Sequence, residues 1–159
     1  SSFARMPSPI FRKIEIDSIL KRSVDFYKMS STNVINLDIN KNKNYISGDE
    51  EQLYRVFINL IKNSEDSIAE KKEKNKLFKG KINIEIVENK DYISISLADN
   101  GVGIKDTTKI MTPYFTTKKD GTGLGLPIVS KIINEHKGEL VISDNNPGAK
   151  VLITLPKTN

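Results

Sequence analysis

Two segments of strict alternation, "KINIEIVE" (81–88) and "YISISLAD" (92–99), stand three residues apart in this chain and constrain its fold more than any other feature. Every second residue is apolar and the joint "NKD" is rich in turn formers, so the pair predicts a β-hairpin with one buried and one wet face. Further along, "ELVISD" and "AKVLITLP" flank "NNPG" and predict a second hairpin. Between the hairpins, "GLPIVSKIINEHK" has helical spacing and is expected to stop at Gly138.

The first half of the chain reads as helix and strand in alternation. Asp17 is placed to cap a helix through "SILKRSVDFYKM", "VINLDI" alternates like a strand, and "NYIS" is a short one. Asp49 with Gln52 three residues later resembles a capping box, opening a helix that carries Leu53, Val56, Phe57, Leu60, Ile61 and Ile68. The stretch "AEKKEKNKLFKG" reads as a frayed helix end and a solvated loop. Antiparallel neighbours with separate helices predict an α+β chain, a two-layer sandwich with a mixed, mostly antiparallel sheet, rather than a doubly wound parallel sheet.

At 159 residues the chain has the size of one domain. It has no cysteine, which excludes disulfides, thiolate metal sites and a cysteine nucleophile. No apolar run approaches the roughly 20 residues of a membrane helix. The net charge of +5 is spread through "NKNKN", "EKKEKNKLFKGK" and "TTKKDG", interrupted by Glu, Asp and Asn, so it does not outline a nucleic-acid surface. The chain starts at Ser1 with "SSFARMPSP", whose prolines favour an extended linker, and we expect a piece of a longer protein.

Four stretches carry chemistry. Arg55, Asn59, Asn63 and Asp66 recur at helical steps on one face of the capped helix, which fits either the wet side of an amphipathic helix or a face lining a cleft. In "LADNGVGI", Asp99 ends a strand beside Gly101 and Gly103: an ordinary Asx turn, or a carboxylate fixed to accept from an amino group. "DGTGLGLP" puts Gly121, Gly123 and Gly125 at a helix start, where backbone amides suit an anion, and Lys118 or Lys119 would add charge. The pattern lacks the lysine of a P-loop and the strand–helix unit of a dinucleotide fold. Between Asn100 and Thr122 no periodicity is evident, as in a functional loop or lid.

Together and in this order, "NLIKNSEDS", "DNGVGI", "YFTTK" and "GTGLGLPIV" resemble the N, G1, F and G2 boxes of the ATP-binding domain of sensor histidine kinases. The wider GHKL (Bergerat-fold) superfamily also contains DNA gyrase and the chaperone and mismatch-repair ATPases. "FTTKKDGTGLGL" and the tail "SSFARMP" look most like the nitrogen-regulation type. The resemblance spans about Ile14 to Pro156 and implies a mixed sheet packed on three helices, with ATP between the helices under a lid. It implies that residues 1–12 are the tail of an upstream dimerisation hairpin and that 13–159 form the ATP-binding domain.

By the same resemblance Asn63 holds Mg²⁺, and Asn59 stands where chaperone relatives have a water-activating glutamate. An amide is no general base, which argues for phosphoryl transfer over hydrolysis. Asp99 matches the acceptor for the adenine amino group. Gly101, Gly103 and Ile104 lead the chain from the adenine pocket, Gly121, Thr122, Gly123, Leu124 and Gly125 frame the phosphates, and Phe115 and Lys118 belong to the F box. Thr154 is expected to support Asp99 through water. The implied acceptor is a histidine on the hairpin of a homodimer, with relay to a response regulator at the cytosolic end of a membrane-bound sensor. The alternatives are a chaperone-like ATPase and a nucleotide-binding interaction module. The lone His136, at a helix end where a cation would be favoured, is not expected to be an acceptor.

Overall fold

The two alternating segments pair as the spacing predicts: in a computed structural model, β4 (Lys81–Glu88) and β5 (Tyr92–Asp99) form an antiparallel hairpin with Ile84 opposite Leu97 and Ile86 opposite Ile95. The structure describes residues 6–40, 42–104 and 125–158. Around the hairpin stand β1 (Arg12–Glu15), α1 (Ile16–Lys28), β2 (Val34–Asp38), β3 (Tyr45–Gly48), α2 (Glu50–Lys74), α3 (Gly125–Glu135), β6 (Glu139–Asp144) and β7 (Ala149–Pro156). The main sheet has the order β2-β4-β5-β7-β6, and β1 pairs with β3 in a separate two-stranded sheet. Only β2 against β4 is parallel; the other neighbours are antiparallel.

All three helices lie against the main sheet. Its inward residues Ile82, Ile84, Ile93, Ile95, Leu97, Ile153 and Leu155 are buried with Ile19, Leu20 and Val24 of α1, Leu53, Phe57, Leu60 and Ile61 of α2, and Val129, Ile132 and Ile133 of α3. The helix α2 packs on both α1 and α3, so its stripe is covered from three directions. The expected two-layer α+β sandwich with three helices is what forms.

Several local expectations change. Asp17 is not the cap of α1; Glu15 holds that position, and the buried Asp17 carboxylate accepts from the Asn44 backbone N–H at 2.9 Å and its side-chain amide at 2.8 Å. A charge buried among donors is worth more to the fold than a solvated cap, and it fixes the β2–β3 connection. Asp49 does cap α2, accepting from Gln52 N at 3.1 Å, but the capping box is not reciprocal. The Gln52 amide donates to Pro7 O at 2.9 Å, and Asp49 N–H donates to His136 Nε2 at 2.9 Å.

Residues read as an extended linker therefore lie on the domain: Ile10 N donates to Asp49 Oδ2 at 2.9 Å, and β1 begins at Arg12. The stretch read as frayed is helical to Lys74, because its lysines find partners. Lys71 donates to Asn100 O at 3.0 Å and lies over the Phe78 ring, while Lys72 reaches Asn33 Oδ1 at 2.7 Å.

Helix α3 ends in a Schellman arrangement, Lys137 N bonding Asn134 O at 3.0 Å and Gly138 N bonding Ile133 O at 2.9 Å. The left-handed residue is Lys137, at φ 61°, rather than Gly138. Glycine is needed at 138 for space: a Cβ there would stand 2.5 Å from Thr154 O.

Candidate active site

Strand β5 runs Ile93, Ile95, Leu97, Asp99 on its helix-facing side, so the alternation that builds the core delivers a carboxylate under α2 at the strand's end. Asp99 is 5% exposed. Its Oδ1 accepts from Gly101 N at 2.9 Å and Ala149 N at 3.3 Å, and the Ser64 hydroxyl of α2 also bonds the carboxylate. Burial pushes the carboxyl above its ordinary value; the Gly101 and Ala149 amides, Ser64 and the Lys71 ammonium oppose that. The Asx turn and the fixed buried acceptor are thus one arrangement. The turn holds one oxygen and leaves acceptor capacity for a ligand's amino group.

The glycines around Asp99 are required by close approach. A Cβ on Gly101 would stand 2.2 Å from Ser67 Oγ and 2.7 Å from the Ser67 carbonyl carbon, so only glycine passes beside α2 here. The next residue is tied to the same helix, Val102 N donating to Ser67 Oγ at 3.0 Å. Gly103 turns the chain at φ 83°. Ile104, partly buried, closes this described stretch. Asn100 fastens the loop to β4 by donating to Lys79 O at 3.1 Å and accepting from Lys81 N at 2.8 Å.

The β6–β7 turn supplies a wall that reading the sequence missed. Asn145 Nδ2 donates to Asp99 O at 3.0 Å, and Gly148, at φ 95°, lies so close that a Cβ would meet Asp99 O at 1.8 Å. "NNPG" signals a turn, and nothing local in it signals what the turn packs against.

On α2, the partly buried Asn59 and Asn63 lie one turn apart, in line with Ser67 beside the Asp99 loop. Asp66, read as part of this face, pairs with Lys62 at 2.9 Å. Gly125 is the first residue of α3, and among the described residues no atom lies within 4 Å of a would-be Cβ. Thr154 does not join the site. It pairs with Ser94 near the other end of β5, and it alternates with the buried Ile153 and Leu155, so it faces the opposite side of the sheet from Asp99. Ala149 is the β7 residue that reaches the carboxylate, through its backbone. Phe115, Lys118, Gly121, Thr122, Gly123 and Leu124, with the expected lid, lie outside the described residues.

His136 is 4% exposed, with Nε2 accepting from Asp49 N and Nδ1 2.7 Å from Ile132 O. Both ring nitrogens are thus engaged within the fold. The Phe11 ring packs edge-on against it.

No group of three or more His, Cys, Asp or Glu side chains among the described residues is arranged to hold a metal ion. Asn63, partly buried on α2, carries a single amide oxygen. That fits a hard cation that keeps most of its waters and takes its other ligands from phosphates.

A buried strand-end carboxylate, Gly101 pressed against α2, Gly103 turning the chain beside the β6–β7 turn and an asparagine pair on α2 are the features of the site that the comparisons bear on. The family model described as histidine kinase-, DNA gyrase B-, and HSP90-like ATPase matches residues 48–159. The chain belongs to this family, and its relatives place it with the catalytic, ATP-binding domains of histidine kinases. An NtrY-like sensor histidine kinase of Rickettsia felis is 33% identical over 153 residues, 94% of this chain and 24% of that protein. The nitrogen regulation protein NtrY of Azorhizobium caulinodans is 29% identical over 159 residues, 98% of this chain and 20% of that one. The chain thus spans about a quarter or less of these relatives' lengths. The nucleotide-free catalytic domain of histidine kinase ThkA superposes with a TM-score of 0.81 at 25% identity, covering 94% of this chain and 97% of that one. Among the described residues no helix is long and apolar enough to cross a membrane.

Proposed function

We propose that this domain binds ATP with Mg²⁺ and presents the γ-phosphate to a histidine on a dimerisation hairpin of the same protein, for relay to a response regulator. The buried, hydrogen-bonded Asp99 carries the reading: it is an acceptor aimed into the cleft, suited to the amino group of adenine and unsuited to the carbonyl that guanine has in its place. Asn59 and Asn63 take the phosphate end, Asn63 as the ligand of Mg²⁺, which when bound offsets phosphate charge. Gly121, Gly123 and Gly125, with Thr122 and Leu124, are assigned to the phosphates, and Phe115 and Lys118 to the terminal-phosphate end. Asn59 has no proton-accepting carboxylate, which favours holding the phosphate for transfer over activating water.

In this assignment residues 1–12 are the tail of the hairpin and the linker, whose last residues lie on the domain, and 13–159 are the catalytic domain. The parent is a homodimer whose catalytic domains face the cytosol beneath a membrane-bound sensor. The acceptor lies outside this chain, since both nitrogens of its only histidine are occupied within the fold.

Calorimetric titration with MgATP and MgGTP tests the assignment. The expected result is binding of MgATP in the micromolar to millimolar range, about 4–8 kcal/mol, with much weaker MgGTP binding and loss of most MgATP binding in Asp99→Asn. Equal affinity for the two nucleotides would overturn it.

A further inference from the structure

Arg55 belongs to the polar face of α2 and has no role in the assignment above. It is partly buried, and among the described residues it makes no hydrogen bond or ion pair. Other basic residues on α2 and on the neighbouring α1 are engaged: Lys62 with Asp66, Lys71 with Asn100, Lys72 with Asn33, and Arg22 with Glu50 and the Tyr54 ring. Glu51, one turn earlier on the same helix, is exposed and forms no ion pair with it. A guanidinium partly withdrawn from water without a carboxylate costs free energy that an anionic ligand would return.

Its position says which anion. The adenine end of the cleft is marked on α2 by Ser64, which bonds Asp99, and Ser67, which abuts Gly101. Asn63 and Asn59 follow toward the helix N-terminus, and Arg55 is one turn beyond Asn59. Nine residues separate Arg55 from Ser64, about 13–14 Å of helix, a span of the order of an extended nucleoside triphosphate lying along α2. The planar fork of arginine matches two phosphate oxygens at once.

We infer that Arg55 holds the terminal phosphate of the bound nucleotide and is the α2 residue that distinguishes a nucleoside triphosphate from a diphosphate. The inference rests on the ATP-binding assignment.

Titration of the chain with MgATP and with MgADP tests this in the wild type, Arg55→Gln and Arg55→Lys. In Arg55→Gln, MgATP affinity should fall on the order of 10-fold or more, the worth of a charge-assisted hydrogen bond, with MgADP affinity unchanged; Arg55→Lys should fall between. The MgADP arm reports that the variant is folded and its adenine pocket intact. An ATP-to-ADP affinity ratio in Arg55→Gln equal to the wild-type ratio would overturn the inference and leave ATP binding standing, the result expected if the arginine stem only covers apolar surface. A wild-type chain that binds neither nucleotide would overturn both.

Discussion

At the scale of the residue, Asp99, which we propose as the acceptor for adenine, is a carboxylate kept against the interest of the fold. Burial raises its carboxyl above 3.8, so the ionised form that accepts from an amino group is the form the interior disfavours. The wild type should gain stability as the pH falls from the raised folded value toward 3.8, since protonation removes the buried charge. Asp99→Asn keeps an oxygen for the Gly101 and Ala149 amides and loses the charge. It should be at least as stable as the wild type to urea at neutral pH, with the difference closing as the pH falls through that window, while most ATP binding is lost because an amide donor now faces the base. Lower neutral-pH stability of the variant would show that the hydrogen bonds outweigh the burial penalty. Asp99 was legible as a candidate from "LADNG". Ala149 and Asn145 were not, because they lie about 50 residues away and the Ala149 contact is made by backbone.

At the scale of the element, α2 is the central beam of the core and, in the proposed function, one wall of the nucleotide site, and α1 braces it through Tyr27. The Tyr27 hydroxyl donates to Ile58 O at 3.2 Å, one residue before Asn59. Burial first, then Asp66 and Glu65, pushes the phenol up to about 12 from 10.0. A group whose folded value lies above its unfolded one stabilises fully below the unfolded value, so this contribution is present below pH 10.0 and is lost as the pH rises through about 12. Tyr27→Phe should cost about 0.5–1.5 kcal/mol near neutrality and show a shallower alkaline loss of stability than the wild type, measured by chemical denaturation at successive pH values. The amphipathic stripe of α2 was plain in its spacing. Its length was not, since the lysines that extend it to Lys74 are held by Asn33, Asn100 and Phe78 from elsewhere in the chain.

At the scale of the molecule, His136 joins three distant segments: the end of α3, the Asp49 cap of α2 and, through Phe11, the chain entering β1. His136→Ala should leave the Asp49 N–H without its acceptor and open space beside Phe11, costing about 2–4 kcal/mol. Below the melting temperature MgATP affinity should be unchanged, because the substitution touches neither Asp99 nor the asparagine face. Thermal unfolding and nucleotide titration on the same preparation check both halves, and lost ATP binding in a folded variant would place His136 in the site instead.

What the sequence determined by itself was local: the two periodicities that name strands and helices, the Asp49 cap, the turns, and the grouping of asparagines, Asp99 and glycines that carries the family resemblance. Side-chain alternation and helical spacing are written in neighbouring residues, so they survive without knowledge of the partner. Tertiary structure alone decided that β2 runs parallel to β4, that β7 enters between β5 and β6, that the "NNPG" turn backs Asp99 and that Thr154 faces away. It also turned Asp17 from a cap into a buried anchor and engaged both nitrogens of His136. Each of those depends on which distant backbone or side chain fills the remaining hydrogen-bonding capacity once the apolar faces have packed together, and that choice is made only when the core closes.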